Sequence, residues 1–378
     1  MIWSPKRLDQ LGSVSRGRSR YRPRDATHLY GGPHPFIQTG DVKHAGLYIT
    51  GFTQTYTEAG LQQSKLWPAG TLCITIAANI ADTAILGIDA CFPDSVIGFI
   101  SDPTQSDARF VKYLFDATIK VRAQQFSQGA TQDNLSQEKL LSLDFDVPPV
   151  TEQTRIADIL ATYDDLIENN RRRMALLEES ARLLYREWFV RLRFPGYEHT
   201  PIVDCVPQGW ERVPLEAALV LQRGFDLPTQ DRQEGDVPIY GSTGILGYHD
   251  RAKAVAPGVV TGRSGTLGEV QYVAEDYWPL NTALWVKEFK RVTPLFALFL
   301  LREMDLKQFN GGASVPTLDR KSVHRVEILI PSAPMLRSFD EFAADVYEQI
   351  KNLTAQNQKL RTARDLLLPR LMSGEVAV

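Results

Sequence analysis

Between Lys6 and Arg24 the chain places seven basic residues, Lys6, Arg7, Arg16, Arg18, Arg20, Arg22 and Arg24, against only Asp9 and Asp25. The last five alternate with Gly17, Ser19, Tyr21 and Pro23, a composition that predicts an extended loop rather than a helix. Guanidinium forks along such a loop suit backbone phosphates or the edge of a guanine. The competing reading is a solvated run of charge. A second stretch, Thr261-Gly262-Arg263-Ser264-Gly265-Thr266-Leu267-Gly268, sets Arg263 and Thr266 beside backbone N–H groups in a glycine-rich loop. It has no Gly-Lys-Ser/Thr and does not open a helix, so it is neither a Walker A loop nor a dinucleotide fingerprint. A loop that meets phosphate and a purely structural turn both remain.

Catalytic chemistry finds little support. Asp146-Val147-Pro148-Pro149 resembles in part the Asp/Asn-Pro-Pro-Tyr loop of amino-methyltransferases, but valine follows the acid and no aromatic closes it, so the prolines read as a stop before a helix. The nuclease-like triplets Glu288-Phe289-Lys290 and Asp305-Leu306-Lys307 lack a nearby partner acid. The six histidines are scattered, and Cys73, Cys91 and Cys205 have no paired spacing, so no metal site is expected. Unpaired cysteines and an N-terminal MIWSPKRLDQ without an apolar signal core point to a reducing cytoplasm. No apolar run approaches the roughly 18 residues of a membrane span. With 378 residues, 43% of them hydrophobic, the chain is long enough for at least two cores, and its net charge of -3 conceals the basic loop.

Two long helices have to position these loops. Thr151 to Arg191 holds neither Gly nor Pro, which at about 1.5 Å per residue predicts a rod of about 60 Å. Ile156, Tyr163, Leu177 and Leu184 recur every seven residues on one track, and Leu160, Ile167, Met174, Ala181 and Trp188 on another, as in an a/d coiled-coil seam. Adding 183 to positions of this helix lands on Phe339, Val346, Leu353, Leu360 and Leu367 for one track, and on Ala343, Ile350 and Leu371 for the other. The same offset carries Phe126 to Phe309, Leu135 to Leu318 and Pro148 to Pro331, while Trp3 and Arg16-Gly17 recur 207 residues later as Trp210 and Arg223-Gly224. The chain therefore reads as two tandem units, each a globular block followed by a long helix. An antiparallel register in which paired numbers sum to 527 sets Leu177 against Ile350, Ile167 against Leu360, Leu160 against Leu367, Ile156 against Leu371 and Trp188 near Phe339. It also sets Asn170 opposite Asn357. Such a polar pair either penalises slipped registers or lies at a solvated edge.

Within the first block, TLCITIA, TAILGI and SVIGFI read as strands, Phe110 to Gln124 as a helix with Phe110, Tyr113, Leu114, Ala117 and Val121 on one face, Ser127 to Leu135 as a polar turn, and Leu143 to Val147 as a closing strand. Tyr30 to Val42 reads as a turn-rich entry into a strand and out again. In the second block Pro238 to Gly244 reads as a turn, followed by strands around Gly258 to Val260 and Glu269 to Val273.

Leu143-Asp144-Phe145-Asp146-Val147-Pro148-Pro149-Val150-Thr151-Glu152-Gln153 running into Arg155 to Leu160, with Leu366 to Val376 at the end, resembles the DNA-specificity subunit of Type I restriction-modification systems. The resemblance spans nearly the whole chain and takes in Pro35-Phe36-Ile37 to Gly40-Asp41, the Arg263 to Gly268 loop, Asn281-Thr282-Ala283 and Gly312 to Leu318. Two departures are Leu336-Arg337 where the first helix has Gln153-Thr154, and a start almost at Trp3 without the lead-in seen before Trp210. The resemblance implies an α+β chain with target-recognition domains at 1–150 and 193–333, spacer helices at 151–192 and 334–371 forming an antiparallel coiled coil, and a tail at 372–378. It implies a non-catalytic subunit that reads one half of a split DNA site with each domain. Two methyltransferase subunits carrying S-adenosylmethionine and motor-nuclease subunits using ATP and Mg would be its partners, with no cofactor on this chain. The expected DNA-facing set is Lys6, Arg16, Arg18, Arg20, Arg22, Arg24, Lys43, Arg223, Tyr240, Ser242, Thr243, Arg263, Ser264 and Thr266. The expected coiled-coil core is Ile156, Leu160, Ile167, Asn170, Leu177, Leu184, Ile350, Leu353, Asn357, Leu360 and Leu367. A recognition subunit serving a different nuclease partner and a coiled-coil scaffold that binds no DNA are the alternatives.

Overall fold

The helix expected from the apolar heptads runs from Val150 to Tyr185 and closes in a wider turn over Arg186–Val190. Its counterpart runs from Ala333 to Met372, with Pro369 in its last turns. The computed structural model describes residues 3–77, 80–127, 136–312 and 314–378, with the side chains of 121–127 set aside. Leu135, Ala313 and the side chains of Val121 and Phe126 thus lie outside the described residues, as does most of the expected turn after Ser127. Contacts divide the chain into two compact units, residues 1–172 with 353–378, and residues 173–352, so each long helix contributes to both.

In the first unit Ser4–Arg7 pairs antiparallel with Asp144–Val147, a single helical turn follows at Leu8–Leu11, and Gly12–Arg16 becomes the edge of a five-stranded sheet. The order inward is Val96–Ser101, Leu72–Thr75, Thr83–Leu86 and Tyr48–Ile49. The second unit repeats this plan. Glu211–Pro214 pairs with Glu327–Ile330, Leu215–Ala218 makes the helical turn, and Leu219–Arg223 edges a sheet continued by Ala283–Phe289, Gly258–Gly262 and Val270–Val273. The first three elements match at an offset of 207 and the closing strand at 183, so the internal repeat is one of structure as well as of sequence.

The helix Ala108–Ser127 covers the first sheet. Phe110, Val111, Tyr113, Leu114 and Phe115 are all buried, a wider face than the period suggested, because one side meets the sheet and the other meets Ile156, Leu160 and Leu371. Its counterpart Pro294–Glu303 is buried without interruption from Leu295 to Leu301. A helix that is apolar all round has no period to read; Thr293, whose hydroxyl accepts from the Phe296 N–H, and Pro294 behind it mark its start. Two sequence expectations need correction. Val237–Gly241 is a strand, and the turn narrows to Ser242 and Thr243 before Gly244–His249. The chain leaves Tyr30–Phe36 through a helix, Thr39–His44, whose Asp41 carboxylate accepts from the Gln38 N–H at 2.7 Å.

In the first unit the long helices bury Ile156, Leu160, Ile167, Leu353 and Leu371, with Leu360 and Leu367 half-buried. Among them Asn170 Nδ2 donates to Asn357 Oδ1 at 3.0 Å, and Asn357 Nδ2 donates to the Ile167 carbonyl at 3.3 Å. Both amides are at least nine-tenths buried. In the second unit half-buried Leu177, Leu184, Trp188 and Ile350 pack on Ala181, Tyr185, Phe339, Ala343 and Val346. Replacing one asparagine strands the other. Asn170→Leu should therefore cost about 1–2 kcal/mol, and Asn170→Leu with Asn357→Leu should recover that loss while loosening the register. Thermal melting of the single and double variants decides; an unchanged single variant would place the amides outside the stability of the seam.

A half-buried histidine supplies a pH test in the second unit. The edge strand Leu219–Arg223 bulges between Val220 and Leu221, and the Leu221 N–H donates to His324 Nε2 at 3.0 Å. Burial, helped by Arg320, holds the imidazole below its ordinary pKa. As pH falls below about 6.5 the unfolded chain takes up this proton first, so the histidine's contribution is present above that pH and lost below it. His324→Gln keeps an acceptor without titrating, and its unfolding midpoint should drop less between pH 7 and pH 5 than that of the native chain.

Candidate nucleic-acid interface

Arg16 ends an edge strand, and Gly17 turns the chain out of it. A Cβ on Gly17 would lie 2.3 Å from the Pro93 carbonyl, so only glycine brings the backbone this close. The Gly17 and Arg18 N–H groups donate to Val96 and Phe92 carbonyls at 2.8 and 3.0 Å. Arg16 Nε donates to the Asp94 carbonyl at 3.0 Å, and Arg24 Nη2 lies 2.9 Å from each oxygen of the Asp94 carboxylate. Arg22 folds back on the carbonyls of Ser19 and Tyr21. Gln63 Oε1 accepts from the Arg20 and Tyr21 N–H groups, and Ser64 Oγ donates to the Arg18 carbonyl. Arg16, Arg22 and Arg24 therefore brace the loop, and Arg18 and Arg20 are exposed on it. Tyr30 donates its hydroxyl to the Arg24 carbonyl, and burial next to Tyr56 pushes that phenol up to about 12, so it stays a donor. Gln63 and Asp94 carried no signal in the sequence, since neither belongs to a charge run.

Lys6 and Lys43 stand apart from this loop. Lys6 lies on the ribbon with Asp144–Val147, its amine bonded to Gln105 Oε1 at 2.9 Å. Lys43 is exposed on Thr39–His44 and lines a cavity together with Arg171 and Arg361.

In the second unit Arg223 takes the place of Arg16. Gly224 behind it comes as close to the Leu280 carbonyl, 2.2 Å for an added Cβ, as Gly17 does to Pro93. Arg223 pairs with Asp226 at 2.9 Å, Asn281 donates its amide to the same carboxylate, and Arg263 Nη1 donates to the Asn281 carbonyl at 3.1 Å. The glycine-rich loop is pinned by its backbone: Arg263 and Ser264 N–H groups reach the Thr282 carbonyl, Gly265 reaches Pro316, and Leu318 returns to the Arg263 carbonyl. Gly265 and Gly268 adopt φ of 86° and 87°, which keeps Thr266 on an exposed tip. The Ser242-Thr243 turn abuts this loop, since a Cβ on Gly262 would sit 3.0 Å from the Ser242 carbonyl. Tyr240 is buried edge-on against Tyr277, and burial raises its phenol to about 12, so it supports the turn from behind.

The two loops are built alike and lined differently. Strand registers make Ile76 the counterpart of Arg263, and Asp94 follows Phe92-Pro93 as Asn281 follows Pro279-Leu280. Ile76 is buried where Arg263 is half-exposed. Among the described residues no group of His, Cys, Asp and Glu is placed to hold a metal ion, and no helix is long and apolar enough to cross a membrane.

A family model for the Type I restriction modification DNA specificity domain matches residues 2–179. The Type I restriction enzyme MjaIX specificity subunit of Methanocaldococcus jannaschii is 24% identical, over all of this chain and 94% of that protein. The EcoprrI specificity subunit of Escherichia coli is 19% identical over 92% of this chain and 91% of its own. The crystal structure of the Type I restriction-modification S subunit from M. genitalium shares the fold, with a TM-score of 0.59 at 16% identity over 98% of this chain and 96% of that one. The family-model match, the full-length specificity-subunit relatives and the shared fold together support a DNA-specificity subunit of a Type I restriction-modification system. As such it is a non-catalytic component of its complex.

Alanine substitution separates the roles in the first loop. Arg18→Ala and Arg20→Ala should weaken one half-site by about 1–3 kcal/mol wherever a base edge is read. A phosphate contact would instead weaken every duplex alike. Competition binding with each half-site scrambled in turn distinguishes these outcomes, and an unchanged affinity would return both side chains to solvent.

Proposed function

We propose that this chain reads an asymmetric bipartite DNA site, one half through residues 1–150 and the other through residues 193–333, and directs adenine methylation or ATP-dependent cleavage by partner subunits. The observation that supports this most is the duplicated Arg-Gly corner with different chemistry around it: Asp94 and Ile76 in one unit, Asn281 and Arg263 in the other. Equal backbones with unequal side chains fit two different short sequences. The long helices then set the number of unread base pairs between them, since a straight helix gains about 1.5 Å per residue against about 3.4 Å per base pair.

Partners follow from the same duplication. Ile159 and Phe342, and likewise Leu183 and Leu366, are related by the offset of 183, and all four are exposed apolar side chains on the long helices. Heptad positions place Ile159 and Leu366 together on one flank of the helices in the first unit, and Phe342 and Leu183 together on one flank in the second. Two like patches suit two copies of one methyltransferase subunit, which would supply S-adenosylmethionine and the flipped-base chemistry; ATP and Mg belong to the motor-nuclease subunits. Footprinting the complex of this chain with its methyltransferase subunits tests the reading. Two protected patches separated by an unprotected gap are expected, and a single patch or none would contradict it.

A further inference from the structure

The first unit contains a polar cavity of about 210 Å³ away from the recognition loop, between helix Thr39–His44, helix Ala108–Ser127 and the two long helices. Six cations line it: Lys43, Lys112, Lys120, Arg171, Arg361 and Arg364. Four carboxylates line it with them, each already engaged, and a fifth, Asp365, lies 2.8 Å from Arg364. Asp82 holds Lys120 at 2.9 Å, Asp116 holds Lys112 at 2.6 Å, Asp164 holds Arg364, and Glu168 lies 3.7 Å from Arg171 and 3.1 Å from Arg172. Six cations against five carboxylates leave a positive excess, and Arg361 and Arg171 are exposed.

We propose that this cavity binds a phosphate group, with Arg361 and Arg171 as its principal donors. Guanidinium forks suit phosphate oxygens, and since a water occupies about 30 Å³ the space admits a phosphate with part of its hydration. The phosphate belongs either to the DNA backbone or to a free anion, and two arms of one experiment separate these sources. The proposal rests on the bipartite reading only for the DNA arm.

The test compares native chain and an Arg171→Gln, Arg361→Gln variant, each assembled with its methyltransferase subunits, with Arg361→Gln alone as a milder control. In the DNA arm, affinity is measured across salt concentrations on specific and unrelated duplexes. A backbone contact predicts a salt slope shallower by about 0.9 per lost contact and binding about threefold to tenfold weaker at ~0.1 M salt, with the ratio of specific to unrelated binding preserved. In the second arm, inorganic phosphate is titrated against chloride at equal ionic strength and melting is followed. A free-anion site predicts that phosphate raises the melting temperature of the native complex and leaves the variant unmoved. Either result supports the site and names its source. If the slope and the phosphate response match in both proteins, the cations serve only to neutralise the carboxylates and the proposal is overturned. A native complex that fails to bind DNA would instead count against the recognition reading, and the phosphate arm still decides the cavity.

Discussion

Asp164→Ala is expected to destabilise the first unit by about 3–5 kcal/mol, the cost of leaving one side of a buried ionic contact without its partner. Asp164 sits on the Val150–Tyr185 helix with its side chain 6% exposed. One oxygen accepts from the Tyr113 hydroxyl at 2.6 Å, and the other takes the Arg364 guanidinium. Three helices therefore meet at one carboxylate: the domain helix, the central helix and the C-terminal helix. Alanine strands a phenol that is 1% exposed and takes from the Arg364 guanidinium, one quarter exposed, its buried partner, leaving it Asp365 at 2.8 Å. Asp164→Asn keeps an acceptor for Tyr113 and gives up the charge, so it should lose less. Chemical denaturation of the two variants checks this order, and an alanine variant within about 1 kcal/mol of native would show that water or a neighbouring acid replaces the carboxylate.

Phe339→Ala should have a comparable effect in the second unit, about 3–5 kcal/mol for a large ring removed from a closed core. Phe339 is fully buried, with ring centroids of Phe189, Tyr185 and Phe299 at 5.3, 5.8 and 5.8 Å. Edge-on contacts of this kind add to the area term. The equivalent position in the first unit is Ile156, so the two halves hold their helices by different means: rings in one, an ionic centre in the other. Phe339→Leu keeps most of the apolar surface and should lose clearly less than alanine. A loss below about 1 kcal/mol for Phe339→Ala would mean that the cluster collapses to fill the space.

The heptads made the long helices legible because an apolar stripe recurs over thirty or more residues with only isolated polar breaks, and the duplication was legible because Arg16-Gly17 and Arg223-Gly224 need glycine for the same steric reason. Asn170 and Asn357 stood out as polar residues on an apolar track, and they are hydrogen-bonded to each other. Other features had no local signature. Pro294–Glu303 is buried on every side, and Thr39–His44 is too short for periodicity to show. Gln63 and Asp94 act only because the fold brings them 43 and 70 residues across the chain to Arg20 and Arg24. The split of the basic run into bracing arginines and exposed ones depends on the same long-range contacts. The Gln153 position shows why equal positions diverge: in the first unit its amide donates to the Pro148 and Gln105 carbonyls, whereas Leu336 in the second packs into the apolar core.

Bipartite recognition is tested most directly by methylome sequencing of a host that expresses this chain with its methyltransferase, set against the same host lacking this chain. One asymmetric motif is predicted, two different short half-sites around a fixed unread gap, with N6-methyladenine in each half on opposite strands. Methylation that stays the same without this chain, or a motif that is continuous and symmetric, would contradict it.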